Sequence, residues 1–376
     1  MPEINCTNSF PPGACITLAF LMALVAFAIM IGNAVVILAF MVDKNLRHRS
    51  NYFFLNLAIS DFFVGLISIP LYIPPALFDW KLEDELCTFW LLIDYLLCTA
   101  SVYNIVLISY DRYQSISDAV SYRAKNTKIL TTVALMLAVW VLAFLVHGPI
   151  IIVSSSWEKN KEKCEPGFFS NMHIIAITSV FEFLLPVISV AYFNMYIYWS
   201  LWKRGSVGRC QSHPRLNSSV SSSNCGHSFK SRLFSRTSLP ELKETGMCLH
   251  SETQSTQMKN NTLVSKMWSL SHSDSIVLHQ REHLELLRIK KLAKSLAILL
   301  GAFTICWAPY SVLTIVLSKK DSKPYWYEIA FWLQWLNSLV NPFLYPLCHK
   351  RFQKAFLKIF CMKKKGMSSH NRSVSS

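Results

Sequence analysis

Two carboxylates, Asp94 in LLIDYLLCTA and Glu182 in ITSVFEFLLP, sit inside long apolar runs. An ionisable group in such a setting is costly and marks function. Asp94, Cys98 and Ser101 recur at spacings of four and three, so one helical stripe carries them. No Lys or Arg lies within an apolar run at the level of Asp94. Its expected partner is therefore a cation from outside, and an ammonium supplies both charge and donors. The alternative is a carboxylate capped by tyrosine hydroxyl or tryptophan indole donors. Glu182 lies four residues before Pro186, which should disrupt the helix locally, and Thr178 lies one turn outward. Two acids flanking one cavity, both expected to lack an internal counterion, suit a ligand with an amine at one end and a nitrogen heterocycle at the other, and an imidazole fits that need. Tyr95, Trp307, Tyr310, Phe331 and Trp335 would line the walls, and Gln334 adds an amide. Aromatic faces attract cations. Phe168 and Phe169 follow Cys164 closely enough to be drawn over the cavity as a roof. Each aromatic taken alone reads more simply as packing, so the weight rests on their convergence with Asp94.

A second polar group centres on Asp61 in LNLAISDFF. Asn33, Ser101, Asn337, Ser338 and Asn341 are placed to surround it. The set suits a sodium ion, because hard cations prefer oxygen ligands, and equally a hydrated network without an ion. Arg112 follows Asp94 by 18 residues, which is about 27 Å of helix at 1.5 Å per residue. That nearly spans the hydrocarbon, so Asp94 belongs to the outer half and Arg112 to the inner end.

These residues need long apolar elements to hold them. The chain has 376 residues, is 52% hydrophobic and is only 16% charged, where a soluble domain carries about a quarter. Residues 4–42 contain no Lys, Arg, Asp or Glu. Seven apolar runs are long enough to cross a bilayer: 16–42, 51–77, 86–110, 128–153, 172–202, 292–318 and 325–348. The expected fold is an all-α membrane protein, a seven-helix transmembrane bundle. The net charge of +15 alone would allow nucleic acid as a partner. Its distribution points elsewhere, since 30 of the 37 Lys and Arg fall in the connections on one side or at the run edges that meet them. That side is cytoplasmic by the positive-inside rule. The reading is a multi-pass plasma-membrane protein with its N-terminus outside and its C-terminus in the cytoplasm, in contact with lipid and not with nucleic acid.

The organisation follows. Residues 1–15 are extracellular, with Asn5 a glycosylation acceptor, and residues 16–202 hold five spans. Residues 203–285 form a Ser-rich cytoplasmic connection with too little apolar surface to fold alone. Residues 286–348 hold the last two spans. In 349–361, Phe352, Ala355, Phe356, Ile359 and Phe360 share one helical face and Lys354 and Lys358 another. This predicts a short amphipathic eighth helix on the inner leaflet, with Cys361 as a palmitoylation site and 362–376 as a tail. Cys87 and Cys164 both face the oxidising side and are expected to pair, with Cys6 and Cys15 a possible second pair. Three other classes fit less well. Retinal attachment needs a lysine that residues 324–348 lack. Neither the repeats of a transporter nor the metal cluster, phosphate loop or nucleophile–base spacing of an enzyme is visible, so neither catalysis nor a cofactor is expected, the sodium ion near Asp61 aside.

The chain resembles the rhodopsin-like G protein-coupled receptors over all seven runs. The matching motifs are Gly32-Asn33, LAISD with Asp61, Asp111-Arg112-Tyr113, Trp140, Pro186, CWAP at 306–309 and NPFLY at 341–345. Asp94 adds the aminergic signature. With Glu182, Tyr95, Cys98 and Gln334 it is similar to the histamine receptors of the third and fourth subtypes, and strings such as KNLRHRS and CTASVYNIVLISYDRY resemble the fourth. The resemblance implies histamine as ligand and Gi/o heterotrimers as transducers, with inhibition of adenylate cyclase, calcium mobilisation, and receptor kinases and arrestin as further partners. Asp94 would bind the amine and Glu182 the imidazole. Arg112 would engage the G protein once the sixth span swings outward, with Trp307 and Pro309 at the hinge and Tyr345 stabilising the active state. Where many relatives carry an acid near the inner end of the sixth span, this chain has Ile289. A missing pair of even about 1.4 kcal/mol shifts the conformational equilibrium tenfold, so basal signalling is expected. His147 stands where related receptors carry a neutral amide, which implies a different ligand ranking.

Overall fold

The computed structural model describes residues 11–78, 80–118, 122, 129–157, 164–211, 287, 289–291, 293–318, 324–348 and 352–358. Two units are distinguished. Of the second, Arg204–Leu287, only the helical stretch 204–211 and Leu287 are described. The first, Met1–Lys203 with Arg288–Ser376, holds seven long helices. They are α1 (Pro12–Val42), α2 (Arg49–Leu77), α3 (Asp84–Ser117), α4 (Ile129–Trp157), α5 (Met172–Lys203), α6 (Ile289–Val316) and α7 (Tyr325–Cys348). Five of the seven expected runs fall wholly inside helices; 128–153 starts one residue before α4 and 292–318 ends two residues past α6. Six are long and apolar enough to cross a membrane, and α7 is not among them. Its tyrosines and tryptophans, with the buried Gln334, Asn337, Ser338 and Asn341, lower its hydropathy. These amides and hydroxyls point into the bundle, so α7 meets lipid with its other faces.

The arrangement is centred on α3. Of its most apolar segment 67% is buried, against 22% in α1 and 17% in α4, which lie outside it. Without a hydrophobic force between helices in lipid, close packing and interhelical hydrogen bonds hold such a bundle. Gly65 of α2 lies against α1, where an added Cβ would stand 2.7 Å from the Ala26 carbonyl oxygen. Asn56 of α2 donates to Asn104 of α3 at 2.8 Å and accepts from the Trp140 indole of α4 at 3.0 Å. Asn33 of α1 donates to the Ser338 carbonyl of α7 at 3.1 Å.

Proline shapes two of the helices in the same way. Just before Pro70 and just before Pro186 the helix widens into a π turn, Val64–Ser68 in α2 and Val180–Leu184 in α5. The residue preceding each proline donates five residues back, Ile69 to Val64 and Leu185 to Val180. A proline has no N–H to give its own turn, and the wider turn takes up the mismatch. Carbonyls in both turns are capped from α3: Trp90 Nε1–H donates to Ser68 O at 2.9 Å and the Tyr103 hydroxyl to Phe181 O at 3.3 Å. The local disruption expected at Pro186 is thus a π turn, and Glu182 sits in its middle.

Cys87, at the start of α3, is bonded to Cys164 with their Cα atoms 5.6 Å apart, as expected. Cys15 is buried and donates to the Leu77 carbonyl at 3.0 Å, while Cys6 lies outside the described residues. Residues 352–358 are helical, with Phe352 and Ala355 buried, Phe352 edge-on to Phe54, and Lys354 and Lys358 exposed. This is the expected partition; Ile359, Phe360, Cys361 and Asn5 lie outside the described residues.

Candidate functional site

Asp94 is buried on α3, and its Oδ1 accepts the Trp335 indole N–H of α7 at 3.0 Å. The Cys98 thiol, one turn inward, lies 3.8 Å from the same oxygen. Tyr72, Phe331 and Trp332 pack around Trp335, with centroids 5.1, 4.6 and 4.8 Å away. Trp335 is therefore more than a wall: it is the indole cap that the sequence left open as an alternative, on one oxygen of the carboxylate. No Lys, Arg or His pairs with Asp94 among the described residues.

Beside this group is a narrow cavity lined by residues of α3, α4, α5, α6 and the 3-10 turn Gly167–Ser170. Tyr95, Phe168, Phe169, Thr178, Glu182 and Tyr310 line it as expected. Phe168 and Phe169 meet edge to face at 5.3 Å, four and five residues past the disulfide, and form the expected roof. Asp94, Cys98, Trp307, Phe331, Gln334 and Trp335 do not line this cavity. They form the adjoining wall toward α7, joined to it by the Tyr310–Phe331 contact at 5.5 Å. Trp307 and Gln334 are buried, and Trp307 Nε1 and Gln334 Nε2 have no partner among the described residues.

One expectation is overturned. Glu182 does not lack a basic neighbour: His147 Nε2 of α4 stands 3.5 Å from Glu182 Oε2. The reason is geometric. Lys and Arg are absent from the apolar runs at this level, but a histidine inside α4 is turned by that helix toward α5. His147 Nδ1 is 3.3 Å from the Thr99 hydroxyl, and its ring packs on Tyr95 at 4.7 Å.

The polar group around Asp61 forms in part. Ser101 and Ser338 donate to Oδ1 and Asn341 to Oδ2, each at 2.8 Å. Asn33 stays one step away, on the Ser338 and Ile29 carbonyls, because its amide serves the α1–α7 contact. Asn337 is buried, with an Oδ1 that has no partner among the described residues.

At the inner end, Asp111 accepts from the Ser50 hydroxyl at 2.8 Å and from Tyr122 at 3.1 Å. Arg49 Nε lies 3.5 Å from its other oxygen, and the Arg49 guanidinium lies over the Tyr122 ring at 5.4 Å. Burial and then the Asp111 carboxylate raise the Tyr122 phenol, which keeps it a donor. Arg112 is 3.9 Å from Asp111, and its Nε and one terminal nitrogen have no hydrogen-bond partner among the described residues. Ile289 is half-buried against the main core, and no acid is described beside it. Tyr113 packs on Phe193 and Tyr196 of α5. Pro309 lies within α6, and the Tyr345 side chain is outside the described residues.

The family profile of the 7 transmembrane receptor (rhodopsin family) matches residues 32–345. The chain belongs to the rhodopsin family of seven-transmembrane receptors. It is 65% identical to the histamine H4 receptor of Homo sapiens, 61% to that of Mus musculus and 60% to that of Rattus norvegicus, each time over the full length of both chains. The receptor is thus no enzyme; it is a multi-pass membrane protein whose chemistry is recognition. Several of its residues escaped the reading of the sequence. Arg49 looked like one more cytoplasmic charge, yet it is buried beside Asp111. Asn56 and Asn104 carried a signal, since each is an amide inside an apolar run.

Proposed function

We propose that this receptor binds histamine at the cell surface and signals through Gi/o-class heterotrimers, lowering adenylate cyclase activity and mobilising calcium, with appreciable activity in the absence of agonist. The observation that carries the ligand is Asp94: a buried carboxylate without a basic partner among the described residues, one helix face away from a cavity that holds a second carboxylate. An amine completes Asp94, and a nitrogen heterocycle reaches toward Glu182 under the Phe168–Phe169 roof. The full-length identity to proteins named histamine H4 receptors supports the same ligand. Basal activity follows from Arg112, whose described restraint is Asp111 alone, at 3.9 Å. Receptor kinases, arrestin, glycosylation at Asn5, palmitoylation at Cys361 and the outside placement of the N-terminus belong to this reading. A sodium ion fits beside Asp61, where the carboxylate and the Ser101 and Ser338 hydroxyls offer oxygen ligands.

The deciding experiment displaces labelled histamine from membranes of expressing cells with histamine, dopamine, serotonin and acetylcholine. Histamine is expected to compete best. Preference for dopamine or serotonin overturns the role given to Glu182.

A further inference from the structure

An imidazole is already present in the ligand cavity. His147 is buried, with its Nε2 3.5 Å from Glu182 Oε2 and its Nδ1 3.3 Å from the Thr99 hydroxyl. When Thr99 donates to Nδ1, the neutral ring carries its proton on Nε2, the nitrogen on the side of the carboxylate. At 3.5 Å this nitrogen makes no hydrogen bond among the described residues, so the two groups are neighbours that a ligand can part. Tyr95 and Phe168 hold the ring plane at 4.7 and 6.4 Å, so it has little freedom to turn away. The titratable groups facing it are Tyr95 from α3, with Asp94 adjacent on that helix, Glu182 from α5 and Tyr310 from α6 across the cavity; Phe168 of the 3-10 turn brings none, and no Lys or Arg lines the cavity among the described residues.

We propose that His147 is a specificity-determining residue: it competes with a ligand's nitrogen heterocycle for Glu182. This rests on the reading that Glu182 receives the heterocycle. A ligand bearing only an amine addresses Asp94 and is indifferent to the competition. A ligand bearing both groups must displace His147 or share the carboxylate with it. His147 therefore lowers the receptor's selectivity for the dibasic ligand.

The test measures histamine and phenethylamine affinity in membranes carrying the full-length receptor, at pH 7.4. The proteins compared are wild type, His147→Phe, Glu182→Gln and the double variant. Phenylalanine keeps the ring packing and removes both nitrogens. His147→Phe is expected to raise histamine affinity severalfold. Phenethylamine should not discriminate, and the histamine gain should vanish in the Glu182→Gln background. A gain that persists without the carboxylate, or no gain at all, overturns the proposal while the role of Glu182 stands. Unchanged histamine affinity in Glu182→Gln overturns both. Should His147→Phe fail to reach the surface, His147→Leu, which also removes both nitrogens, carries the same comparison.

Discussion

Replacing Asp94 by asparagine separates charge from shape. The amide keeps an oxygen able to accept the Trp335 N–H, now 3.0 Å from Oδ1, and it fills the same space beside Cys98. The α3–α7 contact should survive, and removal of an enclosed charge relieves a desolvation penalty. What is lost is the charge-assisted pairing with an incoming ammonium. Asp94 is only 5% exposed, so solvent screens that pairing little. Truncating one partner of a buried, hydrogen-bonded charge pair costs about 2–5 kcal/mol. At about 1.4 kcal/mol per tenfold, histamine affinity should fall by a factor between about 30 and a few thousand. Radioligand competition on membranes reads the affinity, surface immunostaining reads the delivered receptor, and the melting temperature in detergent reads the fold. Histamine affinity within threefold of wild type, at normal surface density, refutes the assignment of Asp94 as the amine's partner.

Asn56→Leu strands the Trp140 N–H and the Asn104 carbonyl oxygen inside the bundle, and should cost about 1–3 kcal/mol, read as a lower melting temperature of the detergent-solubilised protein. An unchanged midpoint contradicts it. Gly65→Ala brings a Cβ to 2.7 Å from Ala26 O and 2.9 Å from Met30 N, both backbone atoms, so α1 and α2 must part; surface expression should drop, and normal expression with wild-type stability counts against that contact. Agonist affinity should fall when choline chloride is replaced by sodium chloride in wild type and not in Asp61→Asn; equal sodium sensitivity of the two rules out an ion at that carboxylate. Nucleotide exchange without agonist should exceed that of untransfected membranes, and exchange at background level would argue that Arg112 is restrained after all.

The helix limits and the facing of Asp94, Cys98 and Ser101 were legible because lipid leaves only one solution for an apolar run, and because the helical period fixes which residues share a stripe. Pro186 announced a break beside Glu182, though not its form. What could not be read is the rotation of one helix against another. That rotation sets His147 beside Glu182, turns Trp335 Nε1–H onto Asp94 and aims Asn33 at a backbone carbonyl in place of the Asp61 carboxylate. Arg49 and Tyr122 were hidden for a different reason. Their partner Asp111 is eclipsed in the sequence by its neighbour Arg112, and a charge in a cytoplasmic loop reads as solvated until packing shows otherwise.

The π turn at Val180–Leu184 has a mechanical consequence for α5. One surplus residue in a turn advances everything beyond it by about 100° around the axis. The outer part of α5, with Thr178 and Ser179 on the cavity, and the inner part, with Phe193 and Tyr196 against Tyr113, are therefore set in azimuth independently of one another. The helix behaves as two shafts joined by a phase shifter. Deleting a single residue from that stretch would swing the outer half away from the pocket while leaving the half packed on Tyr113 where it is.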